Sequence, residues 1–174
     1  LNILQKRKST RVIEVKPSRS SLDGIDFRTV SGGALVQITD SICEDPLAWE
    51  VVTKKSPSDQ QLEDLYFAVK AMKNIKSNSI VLAKDQAMIG MGAGQPNRVT
   101  SVHLGLRVAG EKAHGCVMAS DAFFPFPDGI EMAAKGGVVA ISQPGGSVND
   151  DKVISVANDL GIVMMFTGVR HFKH

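Results

Sequence analysis

Cys116-Val-Met-Ala-Ser120-Asp-Ala-Phe-Phe-Pro125-Phe-Pro-Asp-Gly-Ile130-Glu-Met-Ala-Ala-Lys135-Gly-Gly-Val-Val-Ala140-Ile-Ser142 is the stretch that decides the fold class. Cys116 to Ala119 reads as a strand, Asp128 to Lys135 as a helix, and Val138 to Ser142 as a second strand. Strand, helix and strand in that order predict a βαβ unit with a right-handed crossover. The same alternation continues downstream, with a helix from Asn149 to Leu160 and a strand from Ile162 to Phe166. Upstream it runs back through a helix from Arg98 to Ala113 and strands at Ile80 to Lys84 and Ala87 to Met91. The expectation is an α/β fold, a mainly parallel sheet flanked by helices.

Ahead of these elements, Ser56-Pro-Ser-Asp-Gln-Gln61 announces a helix. It offers a hydroxyl to cap free amides, a proline for the first turn and an acid near the positive end of the dipole. Leu62, Leu65, Tyr66, Val69, Met72 and Ile75 then recur at spacings of three and four, so one stripe faces a core. Residues 56–174 are expected to form the α/β subdomain, and residues 1–55 connecting strands and an arm. In that first part Arg11 to Val15 reads as a short strand and Lys16 to Gly24 as turn chemistry. Phe27 to Val30 and Ala34 to Thr39 read as strands joined through Gly32-Gly33. Between Asp40 and Ser58 lies an arm of low periodicity that holds Trp49 and a Val51-Val52-Thr53 strand. The lysine-rich opening, Leu1 to Lys8, reads as the end of a helix whose beginning is absent, so a fragment is expected.

The 174 residues carry 20 Lys+Arg against 18 Asp+Glu, a formal charge of +2, with 43% hydrophobic residues. A chain of this length buries roughly 70% of the surface its unfolded form exposes, enough for one core without disulfides or structural metal. The near-neutral balance, without a run of five like charges, gives no electrostatic footprint for nucleic acid or an anionic membrane. The two cysteines, Cys43 and Cys116, form neither C-x-x-C nor a zinc spacing, which suits a reducing, cytoplasmic compartment. No apolar stretch approaches the roughly 18 to 20 residues that span a bilayer.

In an open α/β sheet, ligands collect where strand ends lead into helix starts. Gly90-Met-Gly-Ala-Gly-Gln-Pro-Asn-Arg98 has the arrangement that aims backbone N–H groups at an anion, with Arg98 as a planar fork for phosphate or carboxylate. Glycines for a tight turn and a solvated Arg98 are the competing reading. The loop is neither a Walker sequence nor a dinucleotide fingerprint. Ser120 to Gly129 crowds Phe123, Phe124 and Phe126 between Asp121 and Asp128, a composition suited to a flat heterocycle or to a hydrophobic plug over the sheet end. Gln143-Pro-Gly-Gly-Ser147 reads as a capped turn. Lys76-Ser-Asn-Ser79 offers neutral donors and acceptors, or simply ends a helix. The histidines, His103, His114, His171 and His174, do not organise, and without H-x-E and P-C-x-x-C zinc deaminase chemistry lacks its ligands.

Taken together, five motifs are informative: Lys76-Ser-Asn-Ser79, Gly92-Ala-Gly-Gln95 with Arg98, Ser120 to Phe126 with Asp128-Gly129, Gln143 to Ser147, and Phe166-Thr-Gly-Val-Arg-His-Phe172. With Gly32 to Gln37 and Val51 to Lys54 upstream, they closely resemble the AICAR transformylases. These are the formyltransferase part of bifunctional purine biosynthesis proteins whose other part is an IMP cyclohydrolase. The resemblance implies formyl transfer from 10-formyltetrahydrofolate, as co-substrate, to the 5-amino group of AICAR, giving FAICAR. It implies a cytidine-deaminase-like subdomain, a homodimer, and a chain forming the carboxyl-terminal portion of the transformylase domain. The family's catalytic Lys-His pair and the cyclohydrolase domain would then lie outside this sequence.

Residue by residue, the resemblance assigns Asn78 and Asp128 to catalysis, Asn78 positioning nucleophile and formyl group and Asp128 accepting from the folate side. It assigns Arg98 to the nucleotide phosphate, Phe123, Phe124 and Pro125 to the wall against base and pterin, and Arg170 to the AICAR site, in the family from the neighbouring subunit. Ser77, Ser79 and Asp121 match positions around a monovalent cation site, for potassium, and no zinc is implied. Pro96-Asn97 and Pro127 depart from the family's usual residues in loops that approach ligand. A noncatalytic nucleotide- or folate-binding module and a dimerisation module are the competing classes. Folate binding with turnover, binding alone, or neither separates the three.

Overall fold

Ser58 sets the first helix of the body. Its Oγ accepts the Gln61 N–H at 3.2 Å while Gln61 Oε1 accepts the Ser58 N–H at 2.9 Å, a capping box that opens α1 (Asp59–Met72). Pro57 therefore precedes the cap instead of occupying the first turn. The expected stripe is the buried one: Leu65, Val69 and Met72 face the core with Ala68, and Leu62, Tyr66 and Ile75 pack alongside. Asp64 is buried on the same helix, at 4% exposure, for a reason given below.

The computed structural model describes residue 6 and residues 11–14, 24–42 and 44–173. The expected helix end at Leu1 to Lys8 lies outside the described residues apart from Lys6, as do residues 16–23 of the turn stretch, Cys43 and His174. Residues 11–14 carry no strand, and Val15 lies outside the described residues. The chain divides into two compact units, Leu1–Ile42 and Cys43–His174, so residues 43–55, expected in the arm, belong with the α/β body. The first unit holds the expected hairpin, β1 (Ile25–Val30) paired antiparallel with β2 (Gly33–Ile38), which turns through Ser31 and Gly32 at φ +82°.

The body is built on β3 (Glu50–Val51), β4 (Ile80–Lys84), β5 (Ala87–Gly92), β6 (Val117–Ser120), β7 (Ala140–Gln143) and β8 (Val163–Phe166). They form one sheet in the order β3-β8-β7-β6-β4-β5. α1 covers one face; α2 (Arg98–Ala109), α3 (Asp128–Lys135) and α4 (Asp150–Asp159) cover the other. The helix expected from Arg98 to Ala113 ends at Ala109 and continues as a 3-10 turn over Gly110–Ala113. Four of the six strands run the same way, but only β6–β7 and β7–β8 are parallel neighbours; β3–β8, β4–β6 and β4–β5 pair antiparallel. The mainly parallel sheet expected from the alternation is thus a parallel centre with reversed strands beside it.

The reversal at β4–β5 has a specific cause. Asp85 and Gln86 form a two-residue turn with φ +52° and +53°, which suits the strand twist but is uncommon for residues other than glycine. Asp64 stabilises it from α1: its two carboxylate oxygens accept the Asp85 N–H at 3.1 Å and the Gln86 N–H at 2.7 Å. A buried carboxylate receiving two amides locks a hairpin where the sequence has no glycine to mark one.

Gly90 and Gly92 lie inside β5, not in a loop. A Cβ on Gly92 would come 2.0 Å from the Ser101 carbonyl oxygen, and one on Gly90 would come 2.3 Å from that of Gly105. The two glycines let the backbone of α2 settle directly on the strand. Their role is packing, and the anion cradle expected from this glycine run is not formed by them.

Gly92→Ala is expected to push α2 off β5 and lower stability by about 1–3 kcal/mol, the usual cost of overpacking, read as a lower urea midpoint. An unchanged midpoint would show that α2 is not seated on the strand backbone. Cys116 has 0% exposure, and burial pushes its thiol up to about 11. It therefore stays protonated and un-nucleophilic at pH 8. In a Cys43→Ser background the folded protein should resist iodoacetamide at that pH and be alkylated only when unfolded, as checked by intact mass.

Candidate active site

The strand directions gather the five motifs. β4 begins, and β5, β6, β7 and β8 end, on the same edge of the sheet: Ile80 lies across from Gly92 and Ser120, Ala119 from Ser142, and Gln143 from Phe166. The loops at 76–79, 93–97, 121–127, 144–149 and 167–173 therefore converge there.

Arg98, the first residue of α2, stands at their centre with 8% exposure. A guanidinium carries five N–H donors. Here Nε donates to the Phe123 carbonyl oxygen at 3.0 Å, Nη1 to Ser120 Oγ at 3.2 Å and Asp121 Oδ1 at 2.5 Å, and Nη2 to Asn78 Oδ1 at 2.8 Å. Four donors are committed inside the protein. Arg98 is thus a strut between loops, and not the open fork for phosphate that the sequence suggested. Burial lowers its pKa, the charge of Asp121 works the other way, and the charge of Arg170 adds to the lowering.

Asp121, at 0% exposure, is equally committed. One carboxylate oxygen takes Arg98, the other accepts the Ser79 N–H at 2.9 Å, and its backbone carbonyl accepts the His171 N–H at 3.0 Å. Of the proposed cation ligands, Ser79 Oγ is buried and has no hydrogen-bond partner among the described residues, whereas Ser77 Oγ accepts the Lys173 N–H at 2.9 Å. Among the described residues there is no cluster of three or more His, Cys, Asp or Glu side chains fit for a metal ion.

Asn78 is half-buried and fixed from three sides. Its Nδ2 donates to the Gln95 carbonyl oxygen at 2.9 Å, its Oδ1 accepts from Arg98, and its own carbonyl accepts the Ser101 hydroxyl at 2.8 Å. A carboxamide has two N–H donors, so one remains for a ligand. Asn78 is thereby oriented, not merely a helix terminator.

The aromatic loop divides its residues differently from the sequence expectation. Phe124 is a core residue at 1% exposure; its N–H donates to Gln143 Oε1 at 2.8 Å, and Gly129 packs against its ring. It cannot wall a ligand site. Phe123 is half-buried and Pro125 exposed, while Phe126, 61% exposed, offers the larger free aromatic surface. Asp128 is exposed at the first position of α3, where Oδ1 accepts the Gly129 N–H at 2.8 Å. The turn at Gln143 to Ser147 is capped by Asp150, which accepts the Gly146 and Ser147 N–H groups at 2.7 and 3.1 Å.

Arg170 is exposed, with its guanidinium 4.0 Å above the Phe172 ring. Sequence reasoning missed Gln95, Ser120 and Gln143 as partners, although all three lie in the motifs quoted. It also set His171 aside. That residue is buried at 3% exposure and its Nε2 lies in close hydrogen-bonding contact with Glu44 Oε1. His103 and His114 are exposed.

A six-stranded α/β body with loop motifs converging on a buried arginine–carboxylate pair and an oriented asparagine has the arrangement of a strand-end candidate site. The AICARFT/IMPCHase bienzyme family model matches residues 1–108, and the chain belongs to that family. It is 50% identical over 174 residues to the bifunctional purine biosynthesis protein PurH of Bacillus cereus (strain AH187), covering 100% of this chain and 34% of that protein. The corresponding proteins of Bacillus thuringiensis (strain Al Hakam) and Bacillus anthracis (strain CDC 684 / NRRL 3495) are 49% identical over the same coverage. The chain thus spans about a third of the length of the curated relatives it matches. These matches do not bear out the expected position at the carboxyl-terminal end. Among solved structures, Acinetobacter baumannii RibD, form 1, is similar with a TM-score of 0.39 and 23% identity over 60% of this chain and 33% of that one, too distant to carry an argument. Among the described residues no helix is long and apolar enough to cross a membrane.

Arg98→Ala leaves the Asp121 carboxylate buried without its partner and is expected to cost about 3–5 kcal/mol in urea unfolding. Adding Asp121→Asn should recover part of that loss, because the uncompensated charge is gone. A double variant less stable than Arg98→Ala would show that the pair is not what holds these loops.

Proposed function

We propose that this chain supplies the part of an AICAR transformylase that aligns the reacting groups for formyl transfer from 10-formyltetrahydrofolate to the 5-amino group of AICAR, giving FAICAR in purine biosynthesis. The observation that carries the reading is the convergence of the five motif loops around Asn78, whose carboxamide is held by Arg98 and Gln95 with one N–H left over. Membership in the AICARFT/IMPCHase family and the purine-biosynthesis name of the relatives support it.

In this reaction a bond forms between the amine nitrogen and the formyl carbon, the bond from that carbon to the folate nitrogen breaks, the amine gives up a proton, and the departing folate nitrogen takes one up. An aromatic amine conjugated to a carboxamide is a weak nucleophile, so alignment and stabilisation of the formyl oxyanion carry much of the catalysis. Asn78 donates to that oxygen or holds the nucleophile. In this reading proton transfer belongs to the family's Lys-His pair, expected outside this sequence.

Arg98 acts indirectly in this reading, by fixing Asn78. Arg170, exposed and without an ion-pair partner among the described residues, is the guanidinium available to the nucleotide. Phe123 and Phe126 give the aromatic surface for base or pterin, and Asp128 keeps one carboxylate oxygen for the folate side. Ser79 Oγ, buried and unpartnered, fits a monovalent cation ligand and Ser77 stands beside it, whereas Asp121 already balances Arg98. A bound potassium ion would add positive charge that fixes these loops. The same reading has the protein work as a cytoplasmic homodimer with a cytidine-deaminase-like body, supported by the sheet with helices on both faces.

Asn78→Ala, made in the protein that carries this chain, should lower kcat by about 10²–10³, the usual loss for one oxyanion donor. The far-ultraviolet circular dichroism should stay that of the wild type. Turnover within threefold of wild type would remove Asn78 from the catalytic list. Folate binding by the wild type without FAICAR formation would favour the noncatalytic module instead.

A further inference from the structure

Glu44 stands in the segment that leads into the body, and His171 in the tail that follows β8. Both side chains are buried, with exposures of 4% and 2%, and their polar ends meet as Glu44 Oε1 against His171 Nε2. Glu44 Oε2 is also buried and has no hydrogen-bond partner among the described residues, so His171 is the compensation this carboxylate has. A buried carboxylate held this way is costly to leave alone.

The tail beyond Phe166 has no helix or strand of its own, yet it is laced into the site loops. The His171 N–H donates to the Asp121 carbonyl oxygen at 3.0 Å. Ser77 and Lys173 exchange two bonds: the Ser77 N–H donates to the Lys173 carbonyl at 2.8 Å, and the Lys173 N–H to Ser77 Oγ at 2.9 Å. Just ahead of these anchors, Arg170 is carried out to solvent next to the pinned His171. From Asp121 the chain of contacts continues through Arg98 to Asn78.

We propose that Glu44 and His171 are positioning residues: their buried hydrogen-bonded contact latches the tail onto the 77–79 and 121 loops and so fixes Arg170 for the AICAR site. The latch is a feature of this chain's geometry, and its catalytic consequence rests on the formyl-transfer reading of Arg170. Neither side chain touches a reacting group. Both act through the backbone they immobilise.

The test uses Glu44→Ala, Glu44→Gln and Arg170→Ala in the protein that carries this chain, with His171→Leu to break the pair from the tail side. Glu44→Ala and His171→Leu should speed amide exchange at Ser77 and Lys173 tenfold or more and leave Ile141 in β7 unchanged. Glu44→Gln keeps an acceptor for the imidazole and should stay near wild type. In turnover, Glu44→Ala should raise KM for AICAR tenfold or more with kcat within threefold. Arg170→Ala should do the same, and combining the two should add less than twofold. Unchanged exchange at Ser77 and Lys173, or additive effects on KM, would overturn the latch. Faster exchange with a KM unmoved by Arg170→Ala would instead overturn the assignment of Arg170 to AICAR, and with it the catalytic half of the proposal.

Discussion

A single guanidinium, buried where five loops meet, is the constraint around which this body is arranged. Desolvating Arg98 is unfavourable by itself, and the structure offsets it with a buried carboxylate, a hydroxyl, a backbone carbonyl and a carboxamide oxygen drawn from two separate loops. Because a planar fork demands acceptors in fixed directions, the loops that supply them are fixed too. Asn78 inherits its orientation from this requirement. The order of causation runs from charge burial to loop geometry to the one donor left open.

That arrangement depends on how closely α2 approaches the sheet. Arg98 opens the helix, and the helix rests on β5 at Gly90 and Gly92, where a side chain would meet backbone oxygen. Asn97 caps the same end by accepting the Thr100 N–H at 2.9 Å, which stops the helix one residue before the guanidinium must project. Strand composition, helix start and charge pairing are thus one device. The glycines set the depth, the cap sets the register, and Asp121 receives the charge.

Much of the body was legible in the sequence, and the reasons are physical. α1, α3 and α4 follow apolar spacings and turn signals that tertiary structure had no cause to override, and each strand was found to within two residues. The β4–β5 reversal was hidden because its turn uses Asp85 and Gln86, whose positive φ depends on a carboxylate about twenty positions earlier on another element. Gly90 and Gly92 looked like a loop because spacing cannot tell glycine needed for a turn from glycine needed under a helix. Phe124 and Phe126, two apart, were indistinguishable until backbone geometry sent one into the core and left the other at the surface. His171 was overlooked since its partner, Glu44, lies 127 positions away.

The pairing of Ser77 with Lys173 spans 96 positions of sequence. During synthesis, the loop that presents Asn78 leaves the ribosome long before the residues that tie it down, at some 5–20 residues per second. For those several seconds the helices and central strands can assemble while the site's own edge stays unclosed. Closure of the site therefore waits on the synthesis of residues 171–173, a delay set by the distance between a loop and the segment that ties it down.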